Sequence, residues 1–198
     1  MTRPEPTLIK SSSDGLQRIV DWLETTYFSG PSTSPDRTSS HGLPLRILID
    51  GPSGSGKTTL AQNLGEVLNI PVFGSEYWAP GWEGLQEGSK ITEELVSGAA
   101  STYRRWDWES YSFAEEIPFD ATGAWIIEGC GSLTPGSAPY SNLRVWVEAD
   151  PDIAKSRGLT RDGEAYAQHW DAWHRQEVEH WERNNPSKLA DIIIRTDR

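Results

Sequence analysis

Apolar residues recur along this chain with two periods. Residues 14–28, "DGLQRIVDWLETTYF", place Leu16, Ile19, Val20, Leu23 and Tyr27 at helical spacing, with Asp14 able to cap the start. The stretch 29–42, "SGPSTSPDRTSSHG", has no period and reads as a linker. From residue 45 the pattern alternates. "LRILID" (45–50) is a short buried-type strand, and "GKTTLAQNLGEVLN" (56–69) is a helix with Leu60, Leu64, Val67 and Leu68 on one face. "IPVFG" (70–74) is the next strand, and residues 89–103 are predicted helical, with Ser89 and Glu93 near the start. "AWIIEG" (124–129) and "LRVWVEA" (143–149) are two further strands. The long segment from Asp150 to Asn184 is helical apart from a break near Gly163, and "ADIIIRT" (190–196) is a final strand. Residues 76–88 and 131–141 are irregular and rich in Gly and Pro, as active-site loops often are.

Short apolar strands alternating with helices predict a three-layer α/β domain around a parallel sheet of about five strands. The expected organisation is an N-terminal helix and Ser/Pro-rich linker over 1–44, then a phosphate-binding domain over 45–198. That first helix packs on the sheet or meets a second subunit, which leaves room for a homodimer.

Composition narrows the chemistry. The net charge of −11 disfavours polynucleotide partners, because the small clusters Arg104-Arg105 and Arg157 with Arg161 do not make a nucleic-acid groove. Arginines in twos and threes do suffice for small phosphorylated ligands. No apolar run reaches membrane-spanning length, the N-terminus lacks a secretory apolar region, and the one cysteine, Cys130, fits a reducing compartment. A soluble, cytoplasmic protein with no membrane partner is expected. Of the ten tryptophans, Trp78, Trp82, Trp106 and Trp108 sit in polar, loop-like surroundings that invite a flat ligand.

"GPSGSGKT" matches G-x-x-x-x-G-K-[ST] at every position, with a strand before it and a helix after it. Glycines let backbone N–H groups turn inward around phosphate oxygens, and the helix N-terminus adds partial positive charge. Gly51, Ser53, Gly54, Ser55, Gly56, Lys57, Thr58 and Thr59 are therefore the candidate nucleotide contacts. Lys57 reaches the terminal phosphates, and Thr58 offers its hydroxyl to Mg²⁺. ATP and Mg²⁺ are the expected cofactors. The chain has no N-K-x-D run for guanine readout and no apolar strand ending in Asp-Glu. In a doubly wound sheet the strand "IPVFGS" ends at the same edge as the phosphate loop. It delivers Glu76 near the γ-phosphate, as a base for an acceptor hydroxyl or as a water-mediated organiser of Mg²⁺. Glu128 reaches the same edge from its own strand.

The motifs "IDGPSGSGKTTLA", "PGWEGL", "YRRWDW", "IIEGCGS", "VWVEAD", "RGLTRDGE" and "HWDAWHRQEVEHW" resemble the uridine kinase-like group of P-loop nucleoside and nucleotide kinases, particularly its small actinobacterial members. The resemblance runs from about 45 to 196. It implies transfer of the γ-phosphate of ATP to a hydroxyl of a nucleoside-like acceptor; another small acceptor, such as a sugar, vitamin or nucleoside monophosphate, or a non-catalytic ATP-binding role, are the alternatives. The family carries Asp where this chain has Glu76. "WDWESY" resembles the family's pyrimidine-holding Tyr-Asp-Phe and His segment. This puts Trp106, Asp107 and Tyr111 among the acceptor contacts, together with Trp82, Arg105 and Glu128. In "SRGLTRDGE" the resemblance assigns Arg157 and Arg161 to a lid that clamps ATP phosphates. His169, His174 and His180 lack metal-pair spacing and are expected to be mostly exposed beside packing tryptophans. Cys130 reads as a buried free thiol.

Overall fold

The computed structural model describes residues 7–9, 12–28 and 44–197. The linker prediction for 29–42 lies outside these. All five predicted strands form: β2 (Arg46–Asp50), β3 (Val72–Gly74), β6 (Trp125–Glu128), β7 (Leu143–Glu148) and β8 (Ile192–Arg195). A sixth, β1 (Thr7–Ile9), precedes them in the chain. The sheet runs β1-β8-β7-β2-β6-β3, every pair parallel. β1 escapes a periodicity search because three residues carry too little pattern. Its register, Thr7 opposite Ile192, is set by the far end of the chain.

Helices cover both faces. α1 (Ser12–Trp22) begins two residues before the predicted cap, leaving Asp14 in its first turn, where a carboxylate complements the helix dipole. It continues as one wide turn over Leu23–Tyr27, closed by Phe28 N–H to Leu23 O at 2.8 Å. Ile19 and Leu23 are completely buried against the sheet beside α2 (Lys57–Leu68), which presents Leu60, Ala61 and Leu64. Each buried Leu or Ile contributes about 2–3 kcal/mol. The opposite face holds α3 (Leu85–Ser97), α5 (Trp170–Asn184) and the short α6 (Pro186–Leu189) over Leu48, Trp125, Ile127 and Trp146.

The helix expected over 89–103 is corrected. α3 starts earlier, at Leu85, and Gly98 (φ 77°) ends it, its N–H bonding Leu95 O. Residues 102–107 are instead β4 (Thr102–Asp107), paired antiparallel with β5 (Ser112–Pro118) and bulged between Arg104 and Trp106. This hairpin stands outside the main sheet. α4 (Pro151–Ala167) has Asp150 as its cap, bonded to the N–H groups of Asp152 and Ile153, and is broken at Gly163 (φ 69°, ψ −155°), as predicted. Trp78, read in loop-like surroundings that suit either a flat ligand or core packing under a loop, is core: it is fully buried, with its indole N–H shared by Gly88 O and Thr92 Oγ1.

Candidate active site

Parallel strands end at one edge, and the site is assembled there from the loop or turn beyond each strand. After β2 the loop 51–56 turns into α2. Two glycines are dictated by close approach: a Cβ on Gly51 (φ 152°) would sit 1.9 Å from Val147 O, and one on Gly54 (φ 77°) 2.0 Å from Ala154 O. Asp50, fully buried, anchors the loop by accepting from Gly51 N–H (2.6 Å), Gly131 N–H (3.1 Å) and Leu133 N–H (2.9 Å). Lys57 is buried, its ammonium donating to Pro52 O at 3.0 Å and to Cys130 Sγ at 3.5 Å. Burial alone would lower its pKa, but Cys130, Glu128, Glu177 and Asp50 around it hold the pKa above the ordinary value.

Thr58 Oγ1 donates to Glu128 Oε1 at 3.0 Å. Glu128 is buried, its other oxygen has no partner, and burial, then the charge of Glu76, push its pKa up to about 7. An orphaned buried carboxylate oxygen beside a Thr hydroxyl suits a divalent cation. Among the described residues no cluster of three or more His, Cys, Asp or Glu is arranged to hold a metal. The donor set therefore fits Mg²⁺ in its usual form, bound by one or two protein groups together with phosphate oxygens.

Glu76 comes after β3 in a tight turn (Ser75–Tyr77). Its carboxylate folds back over Gly74, where a Cβ would meet Oε1 at 2.4 Å. The bare glycine thus lets the longer Glu side chain occupy space close to the strand tip. Burial raises the Glu76 pKa, partly offset by its own backbone N–H and by Lys57 and Arg161.

Lys57, Thr58, Glu76 and Glu128 line a cavity of about 490 Å³, shared with Ser53, Cys130 and Arg161. Trp82, Trp108, Tyr166 and Trp173 add an aromatic patch to a lining that also includes Ser75, Ala79, Gly88, Gly129 and Asp162. Trp82 stacks on Tyr166 (5.2 Å, 20°) and His169 (4.9 Å, 12°), tying the loop after β3 to α4. Arg161 is paired with Asp162 at 2.6 Å. Arg157, one turn earlier, points elsewhere. Its guanidinium donates to Thr196 Oγ1 (3.1 Å) and Thr196 O (2.8 Å) and borders a second cavity of about 390 Å³, with Ser55, Gly56 and Thr59.

Of the candidate acceptor contacts, Trp82 and Glu128 line the main cavity; Arg105, Trp106, Asp107 and Tyr111 do not. Arg105 is exposed and bound to Glu115 at 2.6 Å. Trp106 packs edge-on against Tyr111 and Phe113, and Asp107 closes the hairpin turn through Ser110 Oγ and Glu109 N–H. The hydroxyl of Tyr111 (φ 52°) accepts the backbone N–H of Trp82 at 3.2 Å, supporting the loop after β3 from the hairpin. Trp108, just past the end of β4, reaches the cavity instead.

The sequence also concealed a polar strut. His180, expected to be exposed, is 4% exposed and 3.2 Å from Asp50 Oδ2. Glu177, also buried, accepts the Ser53 N–H (2.8 Å) and the Cys130 thiol (3.2 Å) and contacts His174 (3.1 Å). Trp173 donates its indole N–H to Ser53 Oγ at 3.0 Å. Helix α5 therefore braces the phosphate loop at Ser53 and, through His180, at Asp50. The only sequence signal for this strut is the spacing 173, 177, 180 along one helix face. Cys130, read as buried, is partly buried at the cavity wall, and burial pushes its thiol pKa up to about 12.

No protein-family model matches the chain. The structure superposes on a protein described as a possible uridine kinase from Bacillus stearothermophilus with a TM-score of 0.57, at 19% identity, over 92% of this chain and 98% of the other. A cytidylate kinase of Nitratidesulfovibrio vulgaris is 32% identical over 77 residues, 35% of this chain and 33% of the relative. A cytidylate kinase of Haloarcula marismortui is 25% identical over 125 residues, 63% of this chain and 62% of the relative. The chain thus spans from about a third to under two thirds of these curated relatives.

Proposed function

We propose, for a chain with the fold of the P-loop kinases, that it transfers the γ-phosphate of ATP to a hydroxyl of a small acceptor that is nucleoside-like in offering a flat ring. The observation that carries this reading is that Lys57, Thr58, Glu128 and Glu76 line one cavity together with aromatic side chains. A purely nucleotide-binding protein has no need of a second carboxylate in such a lining.

The 51–58 amides and the N-terminus of α2 bind the phosphates. Lys57 exchanges Pro52 O and Cys130 Sγ for phosphate oxygens. Thr58 and Glu128 would hold Mg²⁺, which supplies neutralisation of phosphate charge. Glu76 accepts the proton of the acceptor hydroxyl; Lys57 and Arg161 favour its ionised form against burial. Arg161, released from Asp162, stabilises charge on the transferring group. Arg157 and the second cavity hold the base end of ATP. Closure of α4 onto Trp82 excludes water, which suppresses hydrolysis.

The test is Mg²⁺-dependent ATP consumption across nucleosides, nucleoside monophosphates, sugars and vitamins, with Lys57→Ala as control. Acceptor-dependent turnover that vanishes in the control supports a kinase. Tight ATP binding with no acceptor-dependent turnover overturns it in favour of a binding module.

A further inference from the structure

The aromatic wall constrains the acceptor more closely than the fold does. Three features bear on its charge. The first is the inventory of charges in the cavity lining: Glu76, Glu128 and Asp162 against Lys57 and Arg161. Lys57 belongs to the phosphate loop, and Arg161, paired with Asp162 in this structure, is taken up by the transferring group in the kinase reading. The nearby hairpin arginines do not contribute: Arg105 is bound to Glu115, and Arg104 lies over the Phe113 ring and bonds Phe113 O. Among the described residues lining the cavity, no cation is left for an anionic acceptor.

The second feature is how the indoles are held. Trp108 gives its N–H to Glu76 O at 3.3 Å, and Trp173 gives its own to Ser53 Oγ. Both polar handles are spent on the protein, so these rings offer carbon rather than hydrogen-bond donors to the cavity. Trp82 is fixed by its stacks on Tyr166 and His169. A wall held this way is organised before the acceptor arrives. What it offers is π-electron density, which attracts cations.

The third is the consequence of loading the nucleotide. Phosphate binding commits Lys57 to phosphate oxygens in place of Pro52 O and Cys130 Sγ and adds net negative charge. An acceptor phosphate would then lie against Glu76 without a partner, and an unpaired charge in a buried site is strongly unfavourable. A positive charge there is paired with Glu76 and the rings at once.

We infer, on the footing of the kinase reading, that the acceptor is a positively charged ring-bearing alcohol, seated between Glu76 and the Trp82–Trp108–Trp173 wall, and that a nucleoside monophosphate is not accepted.

An isosteric triad tests this without turnover. The protein is loaded with Mg²⁺ and a non-hydrolysable ATP analogue. It is then titrated calorimetrically with 3-(hydroxymethyl)-1-methylpyridinium, neutral 3-methylbenzyl alcohol and anionic 3-(hydroxymethyl)benzoate. The cation is expected to bind about tenfold more tightly than the neutral isostere, with the anion weakest. Trp108→Leu should remove most of that preference, whereas Trp108→Phe, which keeps a ring, should retain most of it. Equal affinities across the triad, including no detectable binding by all three, overturn the inference, as does tightest binding of the anion. The two readings fail separately. Cation preference without phosphoryl transfer leaves the acceptor class standing and removes the kinase; Lys57-dependent phosphorylation of neutral or anionic acceptors does the reverse.

Discussion

The phosphate loop and the aromatic side chains line one cavity, meeting at Ser53 and Trp173, and are built by opposite means. The loop is a run of consecutive residues, 51–58, with mostly small side chains, and its shape requires Gly51 and Gly54, where a Cβ would meet a backbone oxygen. The wall is four side chains from separate segments of chain: Trp82 after β3, Trp108 after β4, Tyr166 in α4 and Trp173 in α5. A backbone cradle recognises what all nucleotides share. A wall assembled from distant side chains can be altered one residue at a time, which is where the proposed kinase would set its acceptor choice. Arg157 and Arg161 show the same division within one helix. One turn apart, they border different cavities.

The largest effect expected is on the loop side. Lys57→Ala should abolish acceptor-dependent transfer, a loss of at least about 10³-fold in kcat, measured by coupled ATP consumption. Next comes the arginine pair. Arg161→Ala should lower kcat by about 10³-fold with little change in the KM for ATP, while Arg157→Ala should raise that KM about tenfold and leave kcat within a few-fold. Identical kinetic signatures for the two variants would erase the distinction between the cavities. On the wall side, Glu76→Gln should lower kcat by about 10²-fold while ATP binding, measured by calorimetry, is preserved.

The smallest effect is on stability. The Glu128 carboxyl has an ordinary pKa of 4.5 and is held at about 7 in the fold, chiefly by burial and then by Glu76. The folded protein therefore binds more protons than the unfolded chain between these values. This contribution is full below the unfolded pKa and is lost as pH rises through the folded one. The Tm of the ligand-free protein should fall from about pH 5 to about pH 8, and Glu128→Gln should flatten that fall; parallel curves for the two proteins would show that Glu128 is not its source.

Legibility in the sequence divides along the same line. The loop is legible because its function is written in contiguous residues between a strand and a helix. The buried strands are legible because both faces are covered, which makes them continuous apolar runs. The hairpin over 102–118 is not. Its residues are mostly exposed or half-buried and many are charged, so no period marks it. Its likeness to a pyrimidine-holding motif points to Trp106, which packs on its own hairpin, rather than to Trp108, which the turn swings into the cavity. Glu177 and His180 are invisible for another reason. On a helix rich in charged residues, nothing local tells the buried carboxylate and imidazole from the exposed ones; only contact with Ser53 and Asp50 does.

The pairing of Thr7 with Ile192 has a kinetic meaning. The strand β8 takes one of its partners from the opposite end of the polypeptide, so this part of the sheet has very high contact order and closes late in folding. Until β1 and α1 arrive, one edge of β8 is an open template for pairing with another chain. Clipping the chain ahead of α1 should therefore show itself as slower refolding and association through that edge.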